Sequence, residues 1–309
     1  MWDKFLHTCT AGDAALIRFL RQWAGYMLTG DTREHALLFI FGPGGNGKSV
    51  FLNTLSGIFN DYCKTAAMDS FTATKNDKHS TDLAMLRSAR MVCASETEEG
   101  KAWAETRIKS LTGGDTISAR FMRQDFFEYR PQFKLVIIGN HRPVLHNVDD
   151  AAKRRFNVVP FEYKPENPDR ELEEKLKAEW PGILRWMIEG CIDWQKNGLV
   201  RPKIVLDATS EYFSEQDVMA QWLEDCCEVT IKKPHNVDTN GNLFSNWKRY
   251  VISRSEEPGS AKSFNMALQR RGFLPIKDAP GMRGRGFSGL RICMDPTVDP
   301  KDRRQQADD

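Results

Sequence analysis

Residues 42–49 read GPGGNGKS, and no other stretch of the chain restricts its fold as tightly. The pattern G-x-x-x-x-G-K-[ST] follows the apolar run ALLFIFG (36–42) and leads into the helical pattern KSVFLNTLSGIF (48–59). A strand, a glycine-rich loop and a helix in that order make a phosphate cradle. Gly42, Gly44, Gly45 and Gly47 let the backbone turn tightly and point N–H groups at phosphate oxygens, while the helix N-terminus adds its partial positive charge. Lys48 supplies a cation for the β- and γ-phosphates and Ser49 a hydroxyl ligand for Mg²⁺. With Pro43, Asn46 and Val50 they form the candidate nucleotide-binding stretch, and the expected cofactors are ATP and Mg²⁺.

The surroundings of the loop set the fold class. Further strand candidates are RMVCAS (90–95), FKLVIIG (133–139) and FNVVPF (156–161), with a second helical pattern at 101–112. Strands that are apolar almost throughout, alternating with helices, predict a parallel sheet covered on both faces. Before it, DAALIRFLRQWAGYML (13–28) sets Leu16, Leu20, Trp23, Ala24 and Met27 on one helical face, with Asp13 as N-cap and Gly30 as stop. Residues 168–196 read as helical, with Pro181 in a first turn. Beyond the connector at 197–205 come helical patterns at 207–227, 242–254 and 262–273, then a glycine-rich hairpin at 280–293. That succession outlines a winged helix-turn-helix. The expected segments are a helical 1–30, an ATPase core at 31–197, a winged helix at 206–296 and a solvated tail at 297–309.

Composition excludes some classes. The 309 residues carry a net charge of only +2, so affinity for nucleic acid must come from local clusters. One such cluster lies between 245 and 295, where ten lysines and arginines face four acids. Lys262, Arg270, Arg271, Arg283 and Arg285 are its candidate phosphate contacts, with a protein-contact role as the alternative. The longest clean apolar run is far shorter than a membrane span, and the N-terminus lacks a secretory pattern. The cysteines are scattered without a CxxC pair, as in a reducing compartment. The expectation is a soluble protein of the host cell cytoplasm with no membrane partner.

Other positions carry chemistry at strand ends. SETEEG (95–100) ends a strand with Glu96, where P-loop ATPases place an acid for Mg²⁺ and the attacking water; Glu98 is a possible second carboxylate. Asn140 ends the strand at 133–139 and can hydrogen-bond a γ-phosphate, although a lone Asn is also a common turn residue. Arg154 and Arg155 precede the last strand. They read either as a surface pair or as an arginine finger reaching the nucleotide of a neighbouring subunit. Between these motifs, TGGDTISARFMRQDFFEYRP (112–131) predicts two short strands about a turn at Arg123, Gln124 and Asp125. Arg120 and Arg123, with Phe121, offer cations and a flat ring to a single strand. Phe126, Phe127 and Tyr129 are expected to anchor the hairpin to the core.

Taken in order, GPGGNGKS, SETEEG, LTGGDTISAR, FKLVIIGNHRP and DDAAKRRFNVVPF resemble the superfamily III helicase core of phage, plasmid and poxvirus-type primase-helicases. The resemblance implies an AAA+-like ATPase that assembles as a homo-oligomeric ring, usually hexameric, and moves on single-stranded or forked DNA, typically 3′ to 5′. It makes Lys48, Glu96, Asn140 and one of Arg154 and Arg155 the catalytic set, Ser49 and Glu96 the metal set, and turns the hairpin toward a central channel. It also makes residues 1–30 part of a helical collar. Lys153 stands where relatives often carry Trp, and no upstream segment is long enough for a primase. The expectation is therefore a stand-alone helicase or a piece of a longer chain, with any primase acting in cis or trans. A replication initiator or loader that uses ATP to assemble on DNA without unwinding is the alternative. A small-molecule kinase leaves the hairpin and the basic end unexplained.

Overall fold

A computed structural model describes residues 1–73, 80–95, 101–145, 149–230, 236–254 and 257–294. Glu96 and Glu98 lie outside them. The chain divides into two compact units, Met1–Gln216 and Asp217–Asp309. The first unit opens with helix α1 (Trp2–Cys9) and helix α2 (Ala14–Leu28). As its position in the sequence implies, Asp13 caps α2, accepting from the Ala15 and Leu16 amides at 2.9 and 3.0 Å. Strand β1 (Leu37–Phe41) leads into α3 (Lys48–Phe59), followed by β2 (Cys63–Thr65), α4 (Ser80–Ala84) and β3 (Met91–Ser95). Then come α5 (Glu105–Gly113), the short strands β4 (Ile117–Ala119) and β5 (Phe127–Tyr129), and β6 (Lys134–Gly139). Helix α6 (Asp150–Lys153), β7 (Phe156–Pro160), α7 (Leu172–Lys177), α8 (Trp180–Asn197) and α9 (Lys203–Gln216) complete the unit.

Five strands form one parallel sheet in the order β2-β3-β6-β1-β7. The continuous apolar strands are explained by burial on both faces. Leu38 and Ile40 enter the core shared with α1, α2, α3 and α8, whereas Leu37 and Phe39 enter the core shared with α5 and α9. Four of the strands fall where the sequence predicts them. The fifth, β2, has three residues, none of them buried, and is too short to stand out from its surroundings.

Two helical expectations change. The pattern at 101–112 becomes a helix only from Glu105, because residues 102 and 103 instead make isolated bridges to Val144 and Thr72. The reason is Trp103, which is buried and donates its indole N–H to the Tyr212 hydroxyl at 2.7 Å. The stretch 207–227 is two helices, broken at Asp217, which caps the second through the Ala220 amide at 3.0 Å. The first of them, α9, packs on the sheet with Tyr212 and Phe213 in its core. The structure thus divides the chain at Gln216 and Asp217, about ten residues beyond the segment start at 206 expected from sequence. At the outer edge of β7 the Thr209 hydroxyl of α9 accepts from the Val158 amide at 3.0 Å.

The second unit holds α10 (Val218–Cys226), β8 (Cys227–Val229), β9 (Val237–Thr239), α11 (Asn240–Ser253) and α12 (Ala261–Arg270), then β10 (Leu274–Ala279), β11 (Met282–Ser288) and β12 (Leu290–Ile292). Trp222, Leu243, Trp247, Phe264, Leu268 and Phe287 build its core. The glycine-rich hairpin is present but displaced. Its strands are 274–279 and 282–288, turning at Pro280 and Gly281, while β12 leaves it to pair with β8. The three-stranded sheet runs β10-β11-β9. Among the described residues no helix is long and apolar enough to cross a membrane.

Candidate functional site

The phosphate loop leaves β1 at Gly42, whose amide donates to the Gly139 carbonyl of β6 at 3.3 Å. A Cβ on Gly42 would stand 1.9 Å from the Phe161 carbonyl oxygen, so only glycine lets the chain pass here. Gly47 precedes α3 with φ +89°, a left-handed conformation that glycine adopts without penalty. No side chain caps α3, so the amides of its first turn and their partial positive charge are left for an anion.

Lys48 is buried in this loop. Its ammonium donates to the Gly42 carbonyl at 2.7 Å, the Pro43 carbonyl at 3.0 Å and Asn46 Oδ1 at 2.9 Å. Burial pushes its pKa below the ordinary lysine value. Asn46 is also buried and donates its side-chain amide to the Phe161 carbonyl. The side chain of Asn46 therefore seats the lysine, and only its backbone is left to meet a phosphate. Pro43, Gly44, Gly45 and Ser49 are exposed, and Val50 is half-buried against the core beneath α3. The residues fit a nucleotide triphosphate: a bent glycine backbone, an uncapped helix start and one seated cation. Ser49, exposed in the first turn of α3, fits a Mg²⁺ ligand. Among the described residues no cluster of three or more His, Cys, Asp or Glu gathers for a metal.

Asn140 follows Gly139 and is exposed, so the Gly42–Gly139 bond brings the start of the loop to the end of its strand. Ser95 ends β3 and pairs with Ile138 of β6. Two cations near the loop escape the sequence reading. A Cβ on Gly45 would stand 3.1 Å from Lys164 Cε and 3.8 Å from its Nζ. Arg142 lies 4.4 Å from the centre of the Phe41 ring and bonds Glu215 at 2.8 Å. Both follow strands that flank β1 in the sheet, and strand order is what the sequence does not spell out.

Arg154 and Arg155 sit at the other end of the sheet. The Arg155 carbonyl accepts from the Leu37 amide at 2.8 Å, at the entry to β1, whereas the phosphate loop follows its exit. Arg154 is exposed. Arg155 is half-buried, donates to the Ala151 carbonyl at 2.5 Å, and has its pKa lowered by burial and by neighbouring Arg154. The two side chains thus have different environments, a distinction invisible in the dipeptide.

Strands β4 and β5 form an antiparallel hairpin with Ser118 opposite Glu128. Arg123 takes φ +61° at its turn. Arg120, Phe121 and Arg123 are exposed, together with Met122. Of the three aromatics expected to anchor the hairpin to the core, Tyr129 does so. Tyr129 packs on the core and donates to the Leu83 carbonyl at 2.5 Å, and Phe127 lies 5.0 Å beneath the Arg87 guanidinium. Phe126 is instead 59% exposed, with Arg120 stacked 4.6 Å over its ring. It belongs to the tip, because its alternation with Phe127 turns it to the opposite face.

In the second unit Lys262, Met266 and Arg270 are exposed at four-residue spacing, along one stripe of α12. Arg283 and Arg285 are exposed on β11, and Lys277 lies directly opposite Arg285. Arg271 differs from this group. It is half-buried and bonds Asp217 at 2.5 Å, so its charge is spent within the unit.

A model described as "Family of unknown function (DUF5906)" matches residues 40–155, from the phosphate loop to the arginine pair. Among curated proteins the chain is 27% identical over 235 residues to "Putative helicase L207/L206" of Acanthamoeba polyphaga mimivirus, which covers 69% of this chain and 24% of that protein. It is 25% identical over 268 residues to "Putative helicase 022R" of Frog virus 3, covering 79% and 27%. The chain spans about a quarter of the length of these relatives. Among solved structures, the apo C-terminal region of NrS-1 aligns with a TM-score of 0.56 over 93% of this chain and 74% of that one. At 14% identity that likeness speaks for the fold alone.

Proposed function

We propose that this chain is the motor part of an ATP-dependent DNA helicase of a virus, phage or plasmid. It binds Mg-ATP at residues 42–50 and moves along single-stranded DNA. The observation that carries the reading is the hairpin at 117–129. An exposed tip of Arg120, Phe121, Met122, Arg123 and Phe126 rises directly before β6, the strand that Asn140 follows. Cations and flat or apolar groups together are what a single strand requires. The helicase names carried by the viral relatives support the same reading.

The geometry also favours hydrolysis between subunits. Arg154 lies near Leu37, and Gly42 is five residues up the strand, about 17 Å away at strand spacing. An arginine cannot cover that distance, so if Arg154 is the finger it serves the nucleotide of a neighbouring copy, as in a ring. The parallel five-stranded core supports the AAA+-like reading, with Glu96 as the proposed acid for Mg²⁺ and water and Asn140 as the γ-phosphate sensor. The helix pair α11 and α12, followed by the β10–β11 hairpin, supports a winged helix whose stripe of Lys262 and Arg270 and whose Lys277, Arg283 and Arg285 meet DNA backbone. A hexameric ring, 3′-to-5′ movement and a primase partner are carried over from the superfamily III resemblance.

The deciding experiment is strand displacement on 3′- and 5′-tailed forks, with the mass of the assembly measured in the same buffer. Displacement of the 3′-tailed fork by an oligomer is the expected result. ATP hydrolysis and DNA binding without displacement on either fork would instead identify an initiator or loader.

A further inference from the structure

We infer that Lys109 and Asp149 form a positioning link that carries the state of the 117–129 hairpin to the segment bearing Arg154. The inference rests on the proposed helicase reading and gives roles to Lys109, outside the quoted motifs, and to Asp149, which opens DDAAKRRFNVVPF.

Helix α5 runs straight into the hairpin, with β4 starting four residues after it ends. Helix α6 ends at Lys153, and Arg154 is its C-cap. One carboxylate joins the two. Asp149 Oδ2 receives the Lys109 ammonium at 2.6 Å, and Asp149 Oδ1 receives the Ala152 amide at 2.6 Å, capping α6. Any displacement of α5 thus pulls on the residue that fixes the start of the arginine helix. Burial disfavours the charged carboxylate, yet Lys109 and the Ala152 amide hold its pKa below the ordinary aspartate value.

A second contact runs in parallel. The Arg155 guanidinium lies 4.0 Å from where a Cβ on Gly113 would stand, at the last residue of α5. It also feels the charge of Asp115, between α5 and β4. The base of the hairpin therefore meets the arginine segment on both sides of Arg154, while Arg154 itself stays exposed. An isolated surface ion pair contributes little. Here the same carboxylate is also a cap, and the elements it joins are the hairpin and the arginine segment.

The test uses the full chain with oligo(dT) as probe, reading amide hydrogen exchange and ATP turnover. In the wild type, oligo(dT) is expected to slow exchange at 117–129 and also to change it at 150–155, while turnover rises. Lys109→Gln should keep oligo(dT) affinity, unstimulated turnover and the effect at 117–129. It should lose the change at 150–155 and at least about fivefold of the stimulation, the lower end of measured site–site couplings. Asp149→Asn, which retains a capping oxygen, should behave alike, and Lys109→Arg should restore both readouts. Wild-type stimulation and exchange at 150–155 in Lys109→Gln overturns the link. A wild-type response confined to 117–129 overturns it too, and leaves the DNA reading intact. No response at 117–129 in the wild type overturns the DNA reading and the link together.

Discussion

Asn46 accepts the Lys48 ammonium at 2.9 Å and donates its own amide to the Phe161 carbonyl, so the loop's cation is seated through the segment that follows β7. Each member of this chain of contacts can be removed separately. Asn46→Ala leaves the buried Phe161 carbonyl without its side-chain partner and is expected to cost about 1–3 kcal/mol of stability in urea unfolding. Lys48→Ala should reduce ATP hydrolysis by about 10²-fold or more. An Asn46→Ala protein as stable as the wild type would show that the lysine is not held this way.

Gly42 and Gly44 are two glycines of one loop with different tolerances. Gly42→Ala drives a methyl to 1.9 Å from the Phe161 oxygen, whereas a Cβ on Gly44 meets nothing within 4 Å. Gly42→Ala should lose nucleotide binding and about 1–3 kcal/mol of stability, the usual range for overpacking. Gly44→Ala should keep its stability. Equal melting temperatures for the two variants would contradict the close approach.

Arg154 and Arg155 separate in the same manner. Arg154→Ala removes an exposed side chain and should shift stability by less than about 0.5 kcal/mol while lowering hydrolysis by about 10³-fold or more, as loss of a finger does. Arg155→Ala removes a half-buried guanidinium and should lower the melting temperature. Mixing inactive Arg154→Ala with inactive Lys48→Ala should recover turnover, since each copy then supplies what its neighbour lacks. No recovery at any ratio would count against hydrolysis between copies.

Arg123 occupies the turn with φ +61°, where a glycine costs nothing. Arg123→Gly should therefore fold at least as well as the wild type. It should bind oligo(dT) more weakly, with the salt slope of log K reduced by about 0.7, the value for one phosphate contact on a single strand. An unchanged slope would remove Arg123 from the DNA contact.

Lys134 is buried at the start of β6, donates to the Thr29 and Gln132 carbonyls, and lies 4.6 Å from the centre of the Tyr26 ring. Burial lowers its pKa from 10.5 to about 7. Between those values the unfolded chain holds the proton and the folded one does not, so this residue makes stability rise with pH across the window and destabilises the fold most below it. The pH dependence of unfolding free energy between about 7 and 10 should be flatter in Lys134→Met than in the wild type. Parallel curves would show that the lysine titrates normally.

The order of elements was legible because each central strand is buried on both faces and so reads as an unbroken apolar run. Asp13 and Pro181 were legible as well, since capping and first-turn roles depend on local chemistry alone. What stayed hidden depends on neighbours distant in sequence. Trp103 is drawn out of a helical pattern by Tyr212, Arg271 is claimed by Asp217, and Lys164 reaches Gly45 only because β7 lies beside β1. Lys109 lies outside the motifs and forty residues from Asp149, which opens DDAAKRRF, and only the packing of α5 near α6 pairs them.

The hydroxyl of Thr209 on the Val158 amide has a consequence for how copies of the chain can meet. It occupies a free donor on the β7 margin, and the opposite margin, β2, offers only three residues. A second molecule thus finds little open ladder on which to extend the sheet. Any contact between copies would thus rest on side-chain surfaces instead of on shared backbone pairing.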